Sequence, residues 1–169
     1  MSPRQNSSLL LNWSIPNIPI LRAKALKCLE QANWQAICER ASLDNGGQPC
    51  ELLSDCTCGG TSLARLLEFQ DGTRWVARVP LVKPTPERIQ RLRTEIDTMI
   101  LLRNHTKTVP QVFAFELDDA HPAGTPFVLL EFLPGNTAMD EADNYDKGEI
   151  IPRQHQQTCY QSLASAHVS

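Results

Sequence analysis

The sequence of 169 residues lacks several features that would assign it to a broad class of protein. No apolar run reaches the ~20 residues that a membrane-spanning helix needs, so we expect no membrane partner. Lys and Arg number 16 against 19 Asp and Glu, and the net charge of −3 argues against nucleic acid as a partner. The chain is 41 % hydrophobic, which is ordinary for a globular domain with its own core.

The cysteines and histidines lack the spacing of a metal site. Cys56-Thr57-Cys58 is a C-x-C sequence with no second pair to answer it, and the four histidines are scattered, so no metal ligand is predicted. Residues 1–13 contain one arginine and three consecutive leucines, which is too short for the apolar core of a signal peptide. We therefore expect a cytoplasmic protein whose thiols are reduced.

Two segments have the apolar spacing of helices. The first covers residues 20–42 and ends before the run Asp44-Asn45-Gly46-Gly47, whose glycines suit a helix C-terminus. The second begins at Thr85-Pro86-Glu87, which offers a capping hydroxyl, a proline for the first turn and an acid beside the helix dipole. Its apolar residues share one face and are Ile89, Leu92, Ile96, Met99 and Ile100.

Five segments have strand patterns, at 51–55, 63–69, 75–79, 112–117 and 127–132. Asp71-Gly72 separates the second from the third and is typical of a hairpin turn. The strands do not alternate with helices as they would in a doubly wound parallel sheet. The order instead predicts an α+β fold, with one five-stranded antiparallel sheet, one helix packed on it and another helix before it.

Two positions on this predicted sheet suit the binding of phosphate. Gly59-Gly60 lies between the first two strands, where glycine lets backbone amides approach a phosphate, although a plain hairpin turn explains it equally well. Arg78 lies on the third strand, where its guanidinium can hold phosphate oxygens or can be an ordinary exposed arginine.

Two further features concern the long helix and the last strand. Glu95 lies at the edge of the apolar helix face, so it can pair with Arg78 across the fold or with Arg88 or Arg91 on its own helix. The last strand ends in Glu131, Phe132 and Leu133 before Pro134-Gly135. Its final backbone groups can hydrogen-bond the edge of a purine, or the stretch can be an edge strand that ends in a turn.

Three stretches together carry a resemblance to a known family: DGTRWVARVPL, TEIDTMILLRNHTKTVPQV and GTPFVLLEFLPG. In this order and with these gaps they resemble the small N-terminal lobe of the aminoglycoside phosphotransferase family. That family has the protein-kinase-like fold, and the stretches are most similar in style to its fungal members. The resemblance covers about residues 50–135, with a weaker continuation to residue 169.

The resemblance implies a nucleotide cleft with ATP as the cofactor. Gly59 and Gly60 would belong to the phosphate-covering loop, and Arg78 would touch the phosphates with Glu95 as its helix partner. Glu131, Phe132 and Leu133 would form the hinge beside adenine. The implied organisation is an N-terminal extension at 1–49, a kinase-like lobe at 50–135, and at 136–169 a linker with the first helix of the large lobe.

The family's catalytic loop, H-G-D-x-x-x-x-N, and a later metal-binding Asp have no counterpart in the chain. We therefore predict no catalytic residue and no metal ligand, with magnesium expected only in a full-length parent. The resemblance then implies a truncated phosphotransferase that binds ATP weakly or not at all. The alternative is a nucleotide-binding or protein-interaction module without catalysis, with self-association through an exposed apolar surface.

Overall fold

The computed structural model describes residues 13–135, 157, 158 and 161, and Trp13–Leu133 form one compact unit. Three helices and five strands follow one another along this unit: α1 (Pro19–Gln31), α2 (Trp34–Asp44), β1 (Cys50–Cys58), β2 (Ser62–Phe69), β3 (Arg74–Pro80), α3 (Pro86–Arg103), β4 (Val112–Glu116) and β5 (Phe127–Glu131). No helix among the described residues is long and apolar enough to cross a membrane. The predicted linker and large-lobe helix lie outside the described residues, except for 157, 158 and 161, which are helical.

All five strands join one antiparallel sheet in the order β1-β2-β3-β5-β4. This confirms the predicted α+β fold with its five-stranded antiparallel sheet. The predicted turn at Gly72 joins β2 to β3, since the Gly72 N–H donates to the Phe69 carbonyl at 2.9 Å. Gly72 has a φ of +86°, which glycine adopts without the steric cost that a side chain would bring.

Helices cover both faces of this sheet. Alternate residues of β3 point to opposite faces. Trp75, Ala77 and Val79 are buried in the same cluster as residues of α1 and α2, including the fully buried Ile37. Val76 instead packs against the cluster that contains Ile96 of α3. The fold therefore has three layers, with α1 and α2 on one face and α3 on the other.

This double coverage accounts for the unbroken apolar run in β5. Phe127 and Leu129 belong to the cluster with α1 and α2, whereas Val128 and Leu130 pack against α3. All four side chains are buried. A strand covered on both faces has no solvent face on which polar residues would alternate with apolar ones.

The single helix predicted over residues 20–42 is wrong, because the chain breaks between α1 and α2 at Ala32 and Asn33. The Asn33 side chain accepts a hydrogen bond from the Ala36 N–H at 3.2 Å and so caps α2. Its own N–H donates to the Ala123 carbonyl, at 3.0 Å, in the loop between β4 and β5. The break is thus stabilised by a contact with a residue far away in the sequence. Strand β1 also extends three residues beyond the predicted end at Asp55.

Candidate functional site

Arg78 lies on the central strand β3, on the face that α3 covers. Its Nη2 donates a hydrogen bond to Oε1 of Glu95 at 2.8 Å. The side chain of Arg78 is 25 % exposed and that of Glu95 is 49 % exposed, so solvent reaches the pair. Of the two pairings that the sequence left open, the structure shows the one across the fold, and neither Arg88 nor Arg91 forms an ion pair with Glu95 within the described residues.

The position of Glu95 follows from the way α3 packs. The helix begins at Pro86, as predicted, and Ile96 is fully buried against Val128 and Leu130. Consecutive helical residues are about 100° apart around the axis. Burial of Ile96 therefore places Glu95 at the border of the helix–sheet contact, within reach of β3.

Gly59 and Gly60 form the turn between β1 and β2, where the Gly59 N–H donates to the Ser62 carbonyl at 3.0 Å. Neither glycine has a positive φ, and a Cβ atom added to either would meet no heavy atom within 4 Å. The fold itself therefore does not require glycine at these positions. The open space beside the turn is compatible with the close approach of a ligand and with an ordinary hairpin turn.

The end of β5 is held by protein contacts at Glu131. Its carboxylate pairs with Nη2 of Arg103 at 2.9 Å and accepts the Gln111 N–H at 3.1 Å. Its backbone N–H donates to the Gln111 carbonyl at 2.8 Å. A ligand therefore has no access to that N–H. Within residues 13–135, no backbone hydrogen bond occupies Phe132 or Leu133.

Two residues that touch this end of the sheet, Arg103 and Trp13, are not predicted from the sequence. Arg103 was only a basic residue at the end of a predicted helix, and nothing in the local pattern indicates a partner 28 positions away. Trp13 precedes the first helix, and its ring meets that of Phe132 edge to face, with centroids 6.1 Å apart. Nothing in the sequence around Trp13 indicates that its ring meets a residue just after the last strand.

The register of the sheet arranges the predicted site residues in a line along β3. Trp75 pairs with Glu131 at one end, and Arg78 pairs with Val128 in the middle. Pro80 pairs with Ser62 at the other end, next to the glycine turn. With a rise of about 3.3 Å per residue, the end of β5 and Arg78 are about 10 Å apart along the strand. The site therefore suits an elongated ligand that has one end beside Leu133 and the other beside Gly60.

Among the described residues, no group of three or more His, Cys, Asp or Glu side chains is arranged to hold a metal ion. The described site offers three kinds of group: the ion pair of Arg78 and Glu95, the backbone of the Gly59-Gly60 turn, and the backbone of Phe132 and Leu133 after the end of β5. These groups can bind and orient a ligand.

A five-stranded antiparallel sheet, with a helix whose glutamate pairs with an arginine of the central strand, is the architecture of a kinase-like small lobe. The family model of the phosphotransferase enzyme family (APH) matches residues 59–164, which is more than half of the chain. The chain belongs to this family. No curated protein and no solved structure matched the chain. The match begins at Gly59, so α1, α2 and the whole of β1 precede it.

Proposed function

We propose that residues 50–135 are the nucleotide-binding lobe of an ATP-dependent phosphotransferase whose acceptor is a small hydroxylated molecule. The observation that carries this proposal is the ion pair between Arg78 and Glu95, which lies on β3 between the glycine turn and the end of β5. Membership of the phosphotransferase family supports it. Residues 1–49 then form an N-terminal extension, of which α1 and α2 cover the other face of the sheet, and residues 136–169 form the linker and the first helix of the large lobe.

In this proposal each part of the site has a separate role. Arg78 holds phosphate oxygens, and Glu95 fixes the direction of its guanidinium. Gly59 and Gly60 let backbone amides approach the phosphates. Phe132 and Leu133 offer backbone groups to the purine edge, while Glu131 holds the strand end in place. ATP, with magnesium in the full-length parent, supplies the phosphoryl group for transfer.

We further propose that the 169-residue chain does not transfer phosphate by itself. Its sequence contains no H-G-D-x-x-x-x-N motif, so it has no equivalent of the Asp that orients the acceptor hydroxyl. A single lobe also gives ATP only one wall of a cleft, so its affinity is low. We place the parent with the fungal-type members because of the stretches DGTRWVARVPL, TEIDTMILLRNHTKTVPQV and GTPFVLLEFLPG. We also propose that it is cytoplasmic, because residues 1–13 are too short in apolar sequence for a signal peptide, and cell fractionation would test this.

Calorimetric titration of the purified chain with ATP tests the binding proposal. We expect measurable weak binding that Arg78→Ala reduces about tenfold, the effect of losing one charge-assisted contact. Arg74→Ala is the matched control, because Arg74 lies on the same face of β3 and pairs with Glu68 at 2.7 Å, away from Glu95. Equal affinity in wild type and Arg78→Ala would refute the assigned role, and ATP-dependent phosphorylation by the pure chain would refute its inactivity.

A second candidate function is that of a protein-interaction module. Three consecutive apolar residues at the end of α3 are exposed, and Leu101 between Ile100 and Leu102 is 61 % exposed. Exposed apolar side chains that lie this close together favour association. Sedimentation over a range of concentrations would show self-association that Leu101→Asp abolishes. A wild-type chain that stays monomeric at high concentration would rule out self-association.

A further inference from the structure

A second cationic feature lies beside the glycine turn, outside the pair of Arg78 and Glu95. A cleft of about 280 Å³ separates the turn and the end of β3 from the first turns of α3. Its lining includes hydroxyl, guanidinium and carboxylate groups, which belong to Thr61, Ser62, Arg88, Arg91 and Glu95. The cleft therefore has polar groups on both walls and two arginines on its helical wall, beside apolar side chains that include Val82 and Leu92.

The two arginines bring positive charge that the described protein does not neutralise. Arg88, Arg91 and Glu95 follow one another at spacings of three and four residues, so they lie on one face of α3. Within residues 13–135, neither Arg88 nor Arg91 has an ion pair, whereas Arg93 on the same helix pairs with Asp97 at 3.1 Å. The only carboxylate in the lining, Glu95, is already bonded to Arg78.

Two guanidinium groups in one cleft repel each other unless an anion lies between them. The planar fork of a guanidinium matches the oxygens of a phosphate, and the hydroxyls of Thr61 and Ser62 are further donors on the opposite wall. The chemistry of the cleft therefore fits a phosphate or polyphosphate better than a neutral or cationic ligand.

The position of the cleft indicates which phosphates it would take. Along β3, the end of β5 lies level with Trp75, Arg78 lies three residues further, and the cleft begins at Pro80. A nucleotide with its base beside Leu133 and its first phosphates at Arg78 would extend its terminal phosphates towards this cleft. That order is fixed by the register of the strands and requires no rearrangement of the backbone.

We propose that Arg88 and Arg91 bind the terminal phosphates of the nucleotide and so make the site selective for a nucleoside triphosphate over a monophosphate. This inference rests on the proposed nucleotide-binding function. The two arginines are specificity-determining residues, because they discriminate by the length of the phosphate chain and leave recognition of the base to the end of β5.

The test compares the affinities of adenosine, AMP and ATP for wild type and for the double variant Arg88→Ala/Arg91→Ala. We expect ATP to bind about tenfold more weakly to the double variant, with AMP changed less than about twofold and adenosine unchanged. Arg93→Ala is the control, since it removes one exposed arginine of α3 that lies outside the cleft. Equal losses for ATP and AMP, or no loss for either, would overturn the proposal.

Inorganic tripolyphosphate separates this inference from the proposed function. If wild type binds tripolyphosphate but does not bind adenosine, AMP or ATP, the proposed nucleotide-binding function fails. The cleft then remains a site for free polyphosphate. That conclusion requires the double variant to lose tripolyphosphate while Arg93→Ala retains it. If wild type binds ATP, and the double variant binds ATP, AMP and tripolyphosphate as tightly as wild type does, the nucleotide-binding function stands. The two arginines then have no part in it. Circular dichroism of each variant checks that it is folded.

Discussion

Arg103, the last residue of α3, forms an ion pair with Glu131, the last residue of β5, with Nη2 and Oε2 2.9 Å apart. The same guanidinium donates from Nη1 to the carbonyls of Lys107 and Val109, at 3.1 and 2.8 Å. One side chain therefore joins the end of the helix, the loop that follows it and the end of the strand. Two ion pairs thus join α3 to the sheet in addition to its apolar contacts: Glu95 with Arg78 near the middle of the helix, and Arg103 with Glu131 at its end.

We expect Arg103→Ala to lower the free energy of unfolding by about 1–2 kcal/mol, because three acceptors lose a donor in a partly buried position. Urea denaturation followed by tryptophan fluorescence measures this loss. Arg93→Ala removes an exposed pair within one helix and a cation–π contact with Phe115 at 5.2 Å, and should change stability by less than about 1 kcal/mol. Equal effects of the two substitutions would show that the contacts of Arg103 contribute no more than a surface pair.

If Arg78 and Glu95 act together on the nucleotide, their effects on its affinity are not additive. Arg78→Ala and Glu95→Ala should each weaken ATP binding, and the double variant should be little weaker than Arg78→Ala alone, because Glu95 acts by fixing that guanidinium. A double-mutant cycle with ATP titrations gives the coupling directly. Small, fully additive losses would indicate two independent surface residues.

The glycine turn allows stability to be separated from binding. Gly59→Ala should leave the free energy of unfolding unchanged or raise it by up to about 0.5 kcal/mol, because the φ is not positive and the Cβ meets open space. Gly72→Ala is the matched control, with an expected cost of about 1 kcal/mol at a φ of +86°. Thermal melts compare the two. Weaker ATP binding by a fully stable Gly59→Ala chain would then support close approach of the phosphates, and unchanged ATP affinity would favour the plain hairpin turn.

Helix α2 forms part of the core, although the family match begins after it. Ile37 is fully buried, so Ile37→Ala should cost about 3 kcal/mol through the cavity it leaves. Leu43 lies on the same helix and is 75 % exposed, so Leu43→Ala should cost less than about 0.5 kcal/mol. Denaturation curves measure both. A small cost at Ile37 would mean that the N-terminal helices add little to the stability of the sheet.

The thiols should differ in the pH at which they react. Burial, together with the neighbouring Cys58, raises the pKa of Cys28 to about 11, so its thiol keeps its proton well above pH 9. Interaction with the side chain of Cys38 lowers the pKa of Cys50, whose thiol when protonated donates to the Cys38 carbonyl at 3.3 Å. Cys50 should therefore form the reactive thiolate at a lower pH than Cys28. Iodoacetamide labelling across pH 7–11 with peptide mass spectrometry should therefore find Cys50 modified before Cys28.

The chain unfolded in urea is the control for this experiment, because its six cysteines then have similar, ordinary pKa values. The difference between Cys50 and Cys28 should disappear there. If Cys28 in the folded chain is labelled at pH 8 as fast as in urea, the fold does not protect its proton.

Some parts of the fold are determined by the sequence because their causes are local. The turn at Gly72 depends on a positive φ, and the start of α3 depends on the cap at Thr85 and the proline that follows it. The strands follow from short apolar patterns, which include β-branched and aromatic residues in β3, β4 and β5. These features depend on neighbours in sequence, so sequence alone predicted them within a few residues.

Tertiary structure decided the features whose partners lie far away in the chain. The choice of Arg78 as the partner of Glu95, over Arg88 or Arg91, follows from the burial of Ile96 against the sheet. The break at Asn33 depends on the carbonyl of Ala123, and the place of Arg103 depends on Glu131. A helical pattern gives the spacing of side chains along one element. It does not give the distance to a group on another element, because that distance is set only when both elements pack into one core.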